Sequence, residues 1–431
     1  MANTSRPFKA RHTPAQWLVL GVNVLVVLAC LGGAVGLMYG KRQAEKRLQT
    51  PKVAIATTTT AAATTVPGGT AAPNETFPAA DPQAQNFLIT GEDSNPCVSP
   101  NSPYAGAADP ARNSLGSRSD TIMVMRVDPA QNQAAILSFP RDLWVKIPSR
   151  GKGRINTAYV KDDYSLLAQT LYDNFGVKID HYLQIDFCAF KRIIDAVGGI
   201  GLPFDFESFK TPAVAIRDPH VGIKITRSGC HLMHGDEALA YARSRHLSWV
   251  DQNGKWHEDR WSDFSRISRQ QDLLRRVLQR ALDRGLYNPS VARAIITSLQ
   301  TDIVTESGFT INDMLRFAGV MRNVQTKGIR TYQVEAGVYM THGQMAAKAI
   351  DSPNMTAIFN IFRGRAPMAA SPTQVFATST TIGGVYGKPT TTSSTSTTTT
   401  IASTGTTGST APAPDDVIKA DIMPVRNKVC N

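Results

Sequence analysis

The sequence predicts an α/β layered domain of mixed strands and helices, behind a single N-terminal transmembrane helix. Three observations point there. An uncharged apolar run covers Trp17–Tyr39. Two β-prone runs, Thr121–Val127 and Ala134–Phe139, flank a polar turn containing Asp128, Pro129 and Asn132. Between residues 87 and 365, short strand-like segments alternate with helix-period ones, the pattern of layered sheets and helices rather than of a barrel.

Taken in chain order, residues 1–16 form a short N-terminus expected in the cytoplasm. Residues 17–39 are long enough to cross a bilayer at about 1.5 Å rise per residue. Their length and the missing small-residue cleavage pattern favour a retained signal anchor over a cleaved signal peptide. Basic residues stand on both sides: Arg6, Lys9 and Arg11 before it, Lys41, Arg42, Lys46, Arg47 and Lys52 after it. Read literally, that charge balance opposes an external C-terminus, but large domains translocate with little regard to charge. The cysteines weigh more. Cys97, Cys188, Cys230 and Cys430 all follow the anchor, an even number suited to two disulfides in an oxidising compartment. They allow three connectivities, among which sequence does not choose, although a Cys188–Cys230 bridge is favoured. The expected location is the cell membrane, single-pass, with the folded domain extracytoplasmic.

Residues 40–86 join the basic juxtamembrane segment to a Thr/Ala-rich stalk too polar and repetitive to build a core. The ordered domain spans 87–365, and 366–431 is a Thr/Ser-rich disordered tail with a short last segment ending near Cys430. Within the domain, a strand at 87–90 leads through a long polar loop to the hairpin. Tyr164, Leu167, Leu171, Tyr172 and Phe175 recur at helical spacing before Gly176, which predicts a helix over 163–175. Strands are expected at 182–187, 200–204 and 329–334, and helices at 189–197, 235–243, 264–284, 288–299, 310–322 and 342–362. The run Gly198-Gly199-Ile200-Gly201 follows a helix and precedes a strand, the reverse of a dinucleotide fingerprint, and reads as a tight turn.

The hairpin is the most informative segment. If Val127 pairs with Ala134, Asp120 falls opposite Arg141, and cross-strand Cβ atoms lie roughly 5 Å apart. Arg118, Asp120, Arg141 and Asp142 then share one edge of the sheet, with Asp120 read as an exposed strand end. Pro140 cannot donate to the ladder and stops the second strand. Arginine grips phosphate bidentately and hard cations take carboxylate oxygen, so this set suits a phosphate-bearing ligand with a divalent metal. A surface salt-bridge cluster is the plain alternative. A second basic group follows. Arg243 and Arg245 end an apolar helix, and Arg266 and Gln270 lie four apart on one face of the next, which Ser262 or Asp263 can cap. The free amides of that helix start favour an anion. The formal charge of +12 raises nucleic acid as a partner, but the basic residues are spread without aromatic interleaving or a helix-turn-helix pattern, and none is expected. His231, His234, His246 and His257 lack zinc-ligand spacing, and no Gly-x-Ser-x-Gly element supports acyl hydrolysis.

Together these blocks resemble the LytR–CpsA–Psr family of membrane-anchored cell-wall enzymes, of actinobacterial type. The matching stretches are ITGED at 89–93, SRSDTIMV at 117–124, SFPRDLWV at 138–145 and RINTAY at 154–159. They continue with DHYLQIDF at 180–187, DAVGGI at 195–200, HGDEALAYARSR at 234–245 and DFSRISRQQ at 263–271, in family order over roughly 87–285. The resemblance implies an αβα domain with a mixed central sheet flanked by helices. It also implies a phosphotransferase that attaches a glycopolymer from a polyprenyl-diphosphate-linked precursor to peptidoglycan. By motif position Asp93 and Asp120 would hold Mg²⁺ (or Mn²⁺). Arg118, Arg141, Arg243, Arg245, Arg266 and Gln270 would surround the phosphates, with Asp142 a candidate to accept the acceptor's proton. Two departures stand out: the segment from Asp93 to Arg118 is longer than usual, and His246–Trp261 is an insertion. A lipid-diphosphate phosphatase would use the same residues, and a non-catalytic envelope regulator is the other alternative.

Overall fold

The computed structural model describes residues 76–79, 83–92, 98–107, 119–204, 215–251, 254–286, 288–299, 303–324, 329–376, 383–385, 420–423 and 430. The expected anchor at 17–39, most of the stalk, the 389–410 tract, Asp93, Cys97 and Arg118 lie outside them. Among the described residues no helix is long and apolar enough to cross a membrane.

In chain order the elements are β1 (Gln85–Glu92), β2 (Ser119–Asp128), β3 (Gln133–Phe139), β4 (Trp144–Ile147), β5 (Gly151–Arg154), α1 (Ser165–Phe175), β6 (His181–Asp186), α2 (Phe187–Ala196) and β7 (Ile200–Phe204). There follow β8 (Ile216–Asp218), β9 (Ile223–Ile225), β10 (Gly229–Met233), α3 (Gly235–Arg243), β11 (Ser248–Val250), β12 (Trp256–Glu258), α4 (Asp263–Ala281) and α5 (Pro289–Leu299). The domain closes with β13 (Ile303–Thr305), α6 (Ile311–Met321), β14 (Arg330–Gln333), β15 (Ala336–Thr341), β16 (Gln344–Ala349) and α7 (Pro353–Phe362).

The central sheet has the order β13-β6-β1-β2-β3-β14 and is mixed: β1 runs parallel to β6 and β14 to β3, the other pairings being antiparallel. Its hairpin register is the one the sequence predicts, with Val127 opposite Ala134 and Ile122 opposite Phe139. Side chains alternate across a strand, so the two faces bury different sets. Leu88, Val124, Leu137 and Phe139 pack with Leu167, Leu171 and Phe175 of α1 and with Ile358 and Phe362 of α7. Phe87, Met123, Met125 and Ile136 face Val320 and Met321 of α6, with Leu274 and Leu278 of α4 alongside. A separate core gathers Leu202, Ile216, Ile225, Tyr241 and Leu247 beneath α2 and α3. The Gly198–Gly199 turn has φ of 78° and 82°, left-handed conformations that glycine adopts without strain.

Two expectations fail. No helix begins at 342. Residues 336–349 form the β15–β16 hairpin, and the helix starts only at Pro353. His342 and Gly343 both take positive φ, 47° and 72°, as a two-residue hairpin turn requires. Ser352 then caps α7, its Oγ accepting from Met355 N at 3.1 Å, with Pro353 in the first turn. The favoured Cys188–Cys230 bridge is also wrong. Cys230 on β10 pairs with Cys430, Cα to Cα 5.6 Å, across 200 residues of sequence. Cys188 is disulfide-bonded to a residue outside the described set. Gly201 on β7 lets Cys430 approach, since a Cβ there would collide with it.

Non-reducing peptide mapping is therefore expected to recover a Cys230–Cys430 cross-linked peptide. Cys430→Ala should lower unfolding stability by about 2–5 kcal/mol in denaturant titration. Recovery of a 188–230 peptide would restore the original expectation.

Candidate functional site

The hairpin brings Asp120 to Arg141 as the register requires. Arg141 Nη1 donates to Asp120 Oδ1 at 2.6 Å, and its Nε lies 3.5 Å from Asp142 and 3.8 Å from Asp263. From α4, Arg266 Nη1 donates to the Asp120 carbonyl at 2.8 Å while Nε and Nη2 hold Asp263 at 2.9 and 2.8 Å. The helix start is thus built differently from a side-chain cap. Ser262 occupies the capping position at φ 43° without a cap bond, and Asp263 serves Arg266. Arg243, at the end of α3, lies over the Phe187 ring at 4.3 Å and donates to the Ala107 carbonyl. Gln270 Nε2 donates to the Ala242 carbonyl at 3.1 Å.

The expectation that Asp120 is an exposed strand end does not hold. Its side chain is only 22% exposed. Burial acts to raise its carboxyl, yet Arg266 and Arg141, the hydrogen bond from Arg141 and the charge of Arg243 outweigh burial and hold it at about 2. Arg141 moves the opposite way: burial is overcome by Asp120 and Asp263, so its guanidinium is held above the ordinary value. Arg245 is different. Half-buried, it is pressed below its ordinary value first by burial and then by the charges of Arg141 and Arg266. Among the described residues it makes no hydrogen bond or ion pair.

These groups line one end of a cavity of about 430 Å³. Asp120, Arg243, Arg245, Arg266 and Gln270 face it, with Asp218, His220 and His246 at the same end. The remaining wall is apolar: Ile89, Met123 and Ile185 from the sheet, Phe187, Phe190 and Ile193 from α2, Leu239 from α3, and Leu274 and Val277 from α4. An apolar trough closed by guanidinium groups suits an amphiphile with an anionic head. Arg141 stands behind Asp120, outside the lining, and Asp142 is shared by Arg141 and by Arg154 at 3.5 Å.

Asp93 and Arg118 lie outside the described residues, but their chain neighbours Glu92 and Ser119 pair across β1 and β2. Among the described residues no group of three His, Cys, Asp or Glu is placed to hold a metal. Asp120 fits a hard cation in donor type, a carboxylate on the cavity wall with one oxygen given to Arg141.

The profile of the LytR_cpsA_psr family matches residues 52–362. The chain belongs to this family. It is 27% identical over 292 residues to the probable cell wall biosynthesis protein LcpB of Corynebacterium glutamicum, covering 66% of this chain and 62% of that protein. Over 182 residues it is 33% identical to TagV of Bacillus subtilis, a polyisoprenyl-teichoic acid–peptidoglycan teichoic acid transferase, covering 41% of this chain and 42% of that one. The chain thus spans less than two thirds of either relative. The crystal structure of B. subtilis TagV aligns with a TM-score of 0.48 at 23% identity, over 66% of this chain and 98% of that one.

What motif reading of this LytR_cpsA_psr chain misses is the support beneath the arginines. Arg269, fully buried, donates to Asp259 Oδ2 at 3.0 Å and to the Ser244 carbonyl. Asp218, also buried, accepts from Ser244 Oγ at 2.6 Å and from His246 N at 3.2 Å. The Ser244 backbone, between Arg243 and Arg245, is clamped from both sides. The only sequence signal is an arginine at a buried position of α4.

Removing the charge of Asp120 takes from Arg141 its 2.6 Å partner and leaves it the longer contacts to Asp142 and Asp263. Asp120→Asn is expected to lower unfolding stability at pH 7 by about 3 kcal/mol, the low end for taking one partner from a buried pair. A depressed carboxyl contributes stability above its unfolded value of about 3.9 and loses it as pH falls through about 2. Urea titrations should therefore show the gap between wild type and variant closing from pH 4 to pH 2. A pH-independent gap would show that shape rather than charge is at stake.

Proposed function

We propose that the chain is a phosphotransferase of the cell envelope, moving a glycopolymer from a polyprenyl-diphosphate carrier to peptidoglycan. The observation that carries this reading is Arg245, a half-buried cation on the cavity wall, crowded by two other arginines and without a carboxylate partner among the described residues. Such a cation calls for an anionic ligand, and the apolar trough beside it calls for a lipid. The family membership and the transferase named among its relatives support the choice of substrates. The anchor at 17–39 and an extracytoplasmic domain accord with that chemistry, since both substrates are envelope components.

In the reaction, an acceptor sugar hydroxyl attacks the phosphorus nearest the glycan. The P–O bond to the carrier breaks, and polyprenyl phosphate leaves. Catalysis of such a transfer is largely positioning and charge neutralisation. Arg243 and Arg245, fixed at the end of α3, and Arg266 on α4 supply donors to the non-bridging oxygens. Arg141 orients Asp120, and Arg118 joins the set by its motif position. The chemistry a divalent cation, Mg²⁺ or Mn²⁺, supplies when bound at Asp93 and Asp120 is further neutralisation of phosphoryl charge.

Incubating the full-length chain with polyprenyl-diphosphate glycan and a peptidoglycan oligomer, with and without Mg²⁺, should yield a phosphodiester-linked product by mass spectrometry. Products containing only water as acceptor would turn the reading to hydrolysis. Arg245→Ala should weaken polyprenyl-diphosphate binding at least about tenfold, the scale of one charge-assisted hydrogen bond. Arg245→Lys should recover part of the loss, keeping charge but not the fork. Arg293→Ala on exposed α5 is the electrostatic control, expected to act only through screened long-range attraction. Equal losses at Arg245 and Arg293 would show that diffuse basicity attracts the ligand.

A further inference from the structure

Resting on the transferase reading above, we infer that His246, held by Glu258, is the general base that removes the proton from the acceptor hydroxyl. His246 directly follows Arg245 and lines the cationic end of the same cavity. Its Nδ1 lies 3.0 Å from Glu258 Oε1. An Nδ1–H donating to that carboxylate fixes the tautomer in which Nε2 carries a lone pair. The geometry is that of a base with its orienting group.

Position favours this residue over the other candidates. A polymeric acceptor reaches only a base that is open to solvent. His246 lines the cavity and is 49% exposed, whereas Asp120 is 22% exposed and already accepts from Arg141. Asp142 lies between Arg141 and Arg154 and is not part of the cavity lining.

The dyad is also built, not incidental. The His246–Trp261 insertion folds as the β11–β12 hairpin, whose register sets Ser248 opposite Glu258. Asp259 N donates to the Leu247 carbonyl at 2.9 Å, closing the base of the hairpin. Buried Arg269 and Ser265 Oγ hold the Asp259 carboxylate at 3.0 and 2.7 Å, and Asp218 holds His246 N. Among the described residues the imidazole meets Glu258 from β12 at Nδ1 and His220, whose ring centroid is 4.9 Å away, while Asp218 from β8 holds the His246 backbone N and Arg245 precedes it in sequence.

The step balances. The acceptor O–H bond breaks, its proton passes to His246 Nε2, and the oxygen forms the new bond to phosphorus. The leaving polyprenyl phosphate carries off the electron pair of the broken P–O bond. Glu258 stabilises the imidazolium, which later releases its proton to water.

The test is the pH profile of transfer by the full-length chain. Wild-type kcat should climb with pH across the imidazole window, about pH 5–8. His246→Gln should lower kcat about 10²–10⁴-fold and remove that limb, leaving the melting temperature and the KM for polyprenyl-diphosphate glycan unchanged. Added imidazole should restore part of the rate to His246→Gly. Glu258→Gln should lower kcat by less than His246→Gln and leave the KM unchanged, since the ring keeps its lone pair but loses the carboxylate that orients it. His257→Gln, on the same hairpin and bonded to Asp251, should stay within about twofold of wild type. Wild type that transfers, beside a His246→Gln variant retaining rate and acid limb, overturns the base alone. Wild type that turns over the donor with water alone overturns the transferase reading and the acceptor proton step together.

Discussion

A fully buried ion pair, Arg269 with Asp259, joins the segments that make the cavity mouth. Their side chains are 0% and 1% exposed. Desolvating two charges costs several kcal/mol per ion after relaxation, a cost offset only where the remaining donors and acceptors are satisfied. Here much of that condition is met: Ser265 Oγ and Trp261 N donate to Asp259 Oδ1 at 2.7 and 2.9 Å, and Arg269 also donates to the Ser244 carbonyl. The pair contributes geometry more than stability. It ties α4 to the segment bearing Arg243, Arg245 and His246 and to the foot of the β11–β12 hairpin. Asp218 and Gln270 hold the same segment from β8 and α4, so the pair acts with them rather than alone.

The period-two alternation of the central strands explains why the cavity lies where it does. One face of β1 and β2 is covered by α1 and α7 and is fully consumed in core. The opposite face packs α6 over Phe87, Met125 and Ile136, yet toward the Glu92 end Ile89, Gly91, Thr121 and Met123 face α2 and α4 across open space. That end is where the parallel strands β1 and β6 finish and where β2 begins with Ser119 and Asp120. The apolar trough and its charged head are one consequence of a sheet face left partly uncovered.

The hairpin was legible because its register follows from arithmetic once one pair is chosen, and both flanking runs are β-prone and apolar about a polar turn. Arg266 and Gln270 were legible for the same kind of reason, a four-residue helical spacing. The 342–362 segment was not, because Met345, Ala346, Ala347 and Ala349 have helical propensity that pairing with β15 overrides. The sign of a break was local, His342-Gly343 and Ser352-Pro353, and a continuous apolar pattern hid it. Pairing of Cys230 with Cys430 spans 200 residues, and no spacing rule reaches that far. The burial of Asp120 escaped notice because it depends on Arg266, which comes from a helix 146 positions away. The His246–Glu258 contact depends on how an insertion folds, which motif order does not encode.

Formal charge on the cavity lining is balanced but unevenly paired. Arg243, Arg245 and Arg266 stand with Asp120, Asp186 and Asp218, yet Asp120 is taken by Arg141, Asp186 caps α2 and Asp218 holds Ser244 and the His246 backbone. Guanidinium groups gathered in one place repel, a cost that the fold bears in the absence of ligand. Arg245 feels burial and the charges of Arg141 and Arg266 more than the opposing pull of Asp263 and Asp120, and among the described residues it makes no ion pair. On the proposed reading, a diphosphate head entering there would meet donors already in place, with no reorganisation needed as charge moves to the leaving group. The same argument limits how the site accommodates added acid. A carboxylate placed beside Arg245 would relieve the free protein and compete with the ligand, so stability and binding at this position pull in opposite directions. On the proposed reading, the binding energy of the head group then rests in the same side chain that precedes His246 in the cavity lining.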